Sequence, residues 1–248
     1  MQIKKKKIWG VGNLYIQRSE QFQLKKVVSD FVEHLIVFSA KNAAKHVSMV
    51  EYATFCYGEL QMHSIIVPAL AKLTDCFILE YPIKRGDLAN RGRVDYYCAN
   101  RVDEHNEYRL FLELKCGRQG IPMRNNKFRK RNIDLWNEVN KQLDGILQEI
   151  KQEKDFYDKN IVRVCMEIIT LYTDDSKNDN INSDTLQDVL KTSIDALKYN
   201  GEALPNISVL WEFHANIVDK ATDDYNSKRK FRGLLFLCRV MPPITPNN

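Results

Sequence analysis

The sequence predicts an α/β protein: a mixed β-sheet flanked by helices, with an N-terminal helical extension and a C-terminal helix plus a strand pair. Three observations carry this. Apolar residues recur at helical spacing over about 19–44 and 48–73, and again over 132–154 and 183–199. From Cys76 the period shortens to two, and three short apolar runs follow one another as a meander. A helix then precedes the fourth run, which supplies the crossover that a parallel neighbour requires.

Residues 1–18 read as a basic tail, Lys4 to Lys7, followed by a short extended piece. From about Ser19 to Ala44 the residues Phe22, Val27, Phe31, Leu35 and Phe38 mark a helix, with Ser19 as its N-cap. A second helix is expected from about Ser48 to Leu73, with Pro68 either bending it or opening a new first turn after a break. Strands are expected at Cys76 to Tyr81, Val94 to Ala99 and Tyr108 to Cys116. Gly117 to Arg131 reads as a basic loop. Asn132 caps a helix to about Lys154, with Leu135, Val139, Leu143, Ile146 and Ile150 on one stripe. Ile161 to Tyr172 is a fourth strand, and Ser183 caps a helix to about Tyr199. Strands at Ser208 to Val218 and Phe231 to Val240 bracket a charged loop. The domain reading is a basic tail and helix over 1–47, then one domain over 48–248, its core at 48–172 and an appended region at 173–248.

At 248 residues, 44% hydrophobic and 28% charged, the composition is that of a globular chain. No apolar run approaches the ~20 residues that span a bilayer, and the basic N-terminus lacks a signal-peptide core, so no membrane partner is expected. Cys56, Cys76, Cys98, Cys116, Cys165 and Cys238 form no C-x-x-C pair; buried reduced thiols in a cytoplasmic protein are the expectation. The net charge of +5 is unevenly spread: Lys84 to Arg131 holds thirteen Lys/Arg against six Asp/Glu. That local excess favours a polyanionic partner. A solvated basic loop is the plainer alternative.

The chemistry lies in Gly92-Arg93-Val94-Asp95-Tyr96-Tyr97 and Leu110-Phe111-Leu112-Glu113-Leu114-Lys115. Strand side chains repeat every two residues, so Glu113 and Lys115 share a face. With Asp95 on the neighbouring strand they make a cation site beside an amine. Phosphodiester cleavage asks for that set: a cation to offset charge on the phosphoryl oxygens, and an activated water. Hard oxygen ligands suit Mg²⁺ or Mn²⁺, and Mg²⁺ takes one or two carboxylates together with water and substrate phosphate. The alternative is a cross-strand ion-paired face. Glu149-Ile150-Lys151 is a second E-x-K triplet, but it falls in a helical pattern, where residues two apart diverge.

Asp95, seventeen intervening residues, and Glu113-Leu114-Lys115 resemble the D-x(n)-E-x-K signature of the PD-(D/E)xK, or restriction-endonuclease-like, superfamily. The expected helix-strand-strand-strand-helix-strand order from about Ser48 to Tyr172 is similar to that family's core, and covers about half the chain. Val94 stands where the name-giving proline would. The resemblance implies metal ligation by Asp95, Glu113 and the Leu114 carbonyl, with Lys115 positioning or deprotonating water. It matches Glu59 to an acidic residue of the preceding helix, which would hold a water or a second ion. It also implies a polar residue reaching the site from the 132–154 helix. Gln142 is the candidate, against a plain helix-edge glutamine; the Gln-x-x-x-Tyr motif of RecB-like nucleases is interrupted by Ile146.

Arg118, Arg124, Lys127, Arg129, Lys130 and Arg131 are the candidate phosphate contacts, with Phe128 as a stacking or wedging aromatic. A solvated loop is again the alternative. His63, one turn after Glu59, would face either the cleft or the core. The expectation is therefore a Mg²⁺- or Mn²⁺-dependent endonuclease acting on DNA in preference to RNA, in restriction, phage defence or mobile-element processing. It would work as a homodimer or with a protein partner that supplies target recognition. The alternative is a non-catalytic nucleic-acid-binding or assembly subunit on the same fold.

Overall fold

A computed structural model describes residues 3–19, 26–84, 91–101, 107–123, 127–147, 150, 160–174, 181–201, 203–223, 226–241 and 244. The described elements are β1 (Ile3–Ile8), β2 (Gly12–Arg18), α1 (Lys26–Val50), α2 (Glu59–Leu73), β3 (Cys76–Lys84), β4 (Arg91–Arg101), β5 (Glu107–Gly120) and α3 (Lys130–Gly145). They continue as β6 (Asn160–Thr173), α4 (Ser183–Asn200), β7 (Ile207–Phe213), α5 (Ala215–Lys220), β8 (Thr222–Asp223) and β9 (Asn226–Val240). The strands form one mixed sheet in the order β1-β2-β7-β9-β6-β5-β4-β3, with β8 against β9. Among the described pairs only β5 and β6 run parallel, and α3 lies between them in the chain.

Alternation sorts the core into two layers. Leu110, Leu112 and Leu114 of β5 and Val162, Val164 and Met166 of β6 pack with α1, α2 and α5. Phe111 of β5 and Cys165 and Ile169 of β6 pack with Trp136 and Val139 of α3 and Val189 and Leu190 of α4. The sheet is thus covered on both faces, which is why β6 reads as an almost unbroken apolar run.

The expected core elements are present, with corrections at their edges. The basic tail is a hairpin: β1 pairs with β2, and β2 pairs with β7 along its whole length. Lys4 to Lys7 therefore lie on an edge strand, where lysines discourage further pairing. The described residues 3–19 and 26–47 belong to the sheet and its first core layer, not to an extension beside it. The helix placed at Ser19 to Ala44 is described from Lys26 and continues to Val50. That placed at Ser48 to Leu73 begins only at Glu59, after a 3₁₀ turn at Thr54–Cys56 and Gly58 at φ 123°. Pro68 is carried inside it. Asn182, not Ser183, caps α4, its side chain accepting from the Thr185 N–H. Residues 214–218, expected as strand, turn away after Phe213, where His214 opens α5. No described helix is long and apolar enough to cross a membrane.

Candidate active site

The site begins where two strands part. Pairing of β4 with β5 runs from Arg101↔Glu107 to Tyr96↔Leu112 and ends, while β5 continues beside β6 to Gly120. One residue past the last pair stand Asp95 on β4 and Glu113 on β5. An N–H at such a fork needs an acceptor. Asp95 supplies it: its Oδ2 accepts from the Leu114 N–H at 2.6 Å. Asp95 is half-buried; Glu113, on the α3 face of β5, is 1% exposed. Glu113 lies opposite Cys165, whose thiol is pushed up to about 12 mainly by burial, with the Glu113 carboxylate a smaller contributor.

Lys115 emerges from the same face two residues on. Its Nζ lies 3.8 Å from Glu59 Oε2 and 3.9 Å from Glu138 Oε1. Glu59 is the first residue of α2 and Glu138 is on α3, so one amine spans helices from both sides of the sheet. The turn before α2 is fixed from beneath: Thr170 Oγ1 donates to the Phe55 carbonyl at 2.7 Å, and the Arg118 guanidinium donates to the Cys56 carbonyl. Gly58 then makes the corner in a conformation that side chains rarely adopt.

Carboxylates crowd this amine. Burial raises the Glu59 carboxyl above its ordinary value; Lys115 opposes that, and Asp95, Glu138 and Glu80 add to it. Glu80 arrives through a local irregularity in β3. It has φ 51° and is passed over between the pairs Leu79↔Tyr96 and Tyr81↔Val94, directly across from Asp95. Its own ion pair with Arg93, at 3.8 Å, is exposed.

The fold therefore brings Glu59, Asp95, Glu113, Leu114 and Lys115 to one fork. Gln142 lies one turn beyond Glu138 on α3 and is half-buried, its Oε1 enclosed with no hydrogen-bond partner among the described residues. His63 faces inward, its Nδ1 hydrogen-bonded to the hydroxyl of buried Tyr96, which burial pushes far up. Among the described residues no three His, Cys, Asp or Glu side chains gather closely enough to hold one ion. The set at issue is smaller, two carboxylates and a backbone carbonyl.

The basic residues divide. Arg118 turns to the opposite face, where it holds the loop before α2. Lys127, Arg129, Lys130 and Arg131 are exposed, and Arg124 lies outside the described residues, as does Glu149 of the second triplet. Phe128 is 6% exposed and packs in the second core layer, so it is not a stacking aromatic.

Sequence reasoning missed Glu80, Glu138 and Glu167. Glu167 on β6 is the register partner of Lys115 and is 0% exposed. Neither of its carboxyl oxygens has a hydrogen-bond partner among the described residues, and the same holds for Oδ1 of buried Asn132. Both side chains close over Gly117: a Cβ there would stand 2.5 Å from Asn132 Oδ1 and 3.0 Å from Glu167 Oε1. A glycine two residues after an E-x-K lysine was the signal that something packs there. Burial raises the Glu167 carboxyl well above its ordinary value, with Arg131 opposing. No family model, curated protein or solved structure matches the chain.

Proposed function

We propose that the chain is a divalent-metal-dependent nuclease with a restriction-endonuclease-like core, hydrolysing phosphodiester bonds in DNA in preference to RNA. The observation that carries this is the convergence at the strand fork. Asp95, Glu113 and Lys115 come from two strands, and Glu59 from a helix over the other face. Glu59 feels the charges of Asp95, Glu138 and Glu80, and Glu59 and Glu138 flank the Lys115 amine. Such crowding favours a cation over an empty site, and hard carboxylate donors fit Mg²⁺ or Mn²⁺.

Asp95, Glu113 and the Leu114 carbonyl would hold the ion, and its chemistry there is to offset charge on the phosphoryl oxygens and lower the pKa of water. The chain's own residues do the rest. Leu114 N–H fixes the Asp95 carboxylate, so one ligand is oriented by the backbone that would carry another. Lys115 faces the position of the attacked phosphate and adds positive charge without leaving the α2–α3 gap. Glu59 and Gln142 orient water from either side.

A purely structural role for Lys115, as a tie between α2 and α3, is the competing reading. Both of its contacts lie beyond hydrogen-bond reach, at 3.8 and 3.9 Å, and Glu59 and Glu138 are partly exposed. Ion pairs of that kind contribute little, about 0–1 kcal/mol. The test is cleavage of circular and linear DNA with Mg²⁺, Mn²⁺ or EDTA by wild type and by Asp95→Ala, Glu113→Ala and Lys115→Ala. Metal-dependent cleavage lost in folded variants supports the nuclease. Salt-sensitive binding without cleavage under any metal would instead indicate a non-catalytic nucleic-acid-binding subunit.

A further inference from the structure

A second group of charged side chains gathers beyond the end of β5, away from Lys115. There residues 119–122 and 127–130, the end of β6 and the start of β9 line an open hollow of about 760 Å³. Lys127, Arg129 and Lys130 line it from one side and Arg229 from the other, and Asp174 is the one acid in its described lining. Tyr172, 1% exposed, lies beneath both arginines: the guanidinium carbons of Arg129 and Arg229 stand over its ring at 5.5 and 4.6 Å. Arg129 also donates to the Tyr172 hydroxyl, and its backbone N–H donates to Gln119 Oε1 at 3.0 Å. The pocket is thus built from segments 43 and 55 residues apart, and its two arginines are held on a buried aromatic platform.

The charge balance is uneven. Asp174 takes the Arg229 Nε at 3.0 Å, and Lys130 reaches out of the pocket to Asp134 at 3.1 Å. Two guanidinium groups over one ring repel each other, and a single carboxylate in the lining offsets only part of that. A concave site of this kind gains most from an anion with several acceptor oxygens, and planar guanidinium donors match a phosphoryl group. From Lys115 to Gln119 is four strand residues, about 13 Å. Along the axis of a DNA duplex that is about four base-pair rises of ~3.4 Å.

We propose that this pocket is a phosphoryl subsite that grips a nucleic-acid strand a few nucleotides from the bond facing Lys115. The choice of ligand rests on the nuclease reading. The gripped group is either a terminal phosphate, which would set cleavage at a fixed distance from a strand end, or an internal phosphodiester.

The test is fluorescence anisotropy with the full-length protein in EDTA, using a short single-stranded DNA labelled at its 3′ end. Arg229→Ala should weaken binding at least about tenfold and lower the slope of log K against log salt by about 1. Asp174→Asn should tighten binding, a gain that a folding defect cannot produce. Preference for a 5′-phosphate over a 5′-hydroxyl strand assigns the terminal group; equal binding with both variant effects intact assigns the internal one. Wild-type affinity and slope in both variants, or no binding by wild type, overturns the proposal. Cleavage with Mn²⁺ is measured separately. Variants that bind normally while wild type cleaves remove the pocket alone, and variant effects on binding with no cleavage remove the nuclease reading alone.

Discussion

Lys115 and Glu167 are register partners on parallel strands with opposite environments. Lys115 looks out between two helices and Glu167 is sealed beneath α3. The Lys115 side chain is only 14% exposed, so Lys115→Ala gives up some packing of its stem but should still fold, and should lose about 10² or more in cleavage rate. Thermal melts beside rate measurements check both halves of that expectation. Glu167 predicts a pH effect instead. Unfolded, it ionises near 4.5; folded, burial holds its proton to a pH well above that. Between those points the folded chain carries the extra proton, so stability is fully present below about 4.5 and is lost as pH rises through the folded pKa. Glu167→Gln stays neutral throughout. Its melting temperature should match wild type near pH 4 and exceed it increasingly as the pH rises toward 8; parallel curves for the two proteins would contradict this.

At the scale of elements, α3 carries Glu138, 3.9 Å from Lys115, and Gln142 one turn further along the same stripe. An enclosed amide oxygen with no hydrogen-bond partner among the described residues costs about 1–3 kcal/mol, so it persists where function retains it. Gln142→Leu should therefore leave the melting temperature unchanged or higher while cleavage falls about tenfold. A fall in stability without a fall in rate would make Gln142 structural. The central strands and α3 were legible because their apolar periods are unambiguous. Lys4 to Lys7 were not, because an edge strand carries no apolar alternation. The end of β7 was misplaced because Ile217 and Val218 continue the apolar pattern past the turn at His214. Asp95, Glu113 and Lys115 could be read because strand alternation and spacing are local properties. Glu138, Glu80 and Arg229 each look like ordinary surface residues of their own elements, and only tertiary packing gives them neighbours.

Across the whole molecule, the sheet continues from its β3 edge to the N-terminal hairpin without a break in pairing. Leu14, Tyr15 and Ile16 of β2 are buried on both faces, so removing residues 1–18 should expose the β7 edge and destabilise the entire domain. Loss of a cooperative melt in that truncation checks this; an intact, independently folded 48–248 fragment would refute it. The same continuity ties the strand fork to the pocket under Arg129 and Arg229, since β5 and β6 run from one to the other as a paired unit. Cleavage of circular DNA by wild type and Lys115→Ala, with Mg²⁺ or Mn²⁺ and with EDTA, decides whether the strand fork is a metal-dependent nuclease site. Cleavage by wild type that requires the metal and disappears in the folded variant is the predicted result. Full metal-dependent cleavage by Lys115→Ala, or none by wild type with either metal, contradicts it.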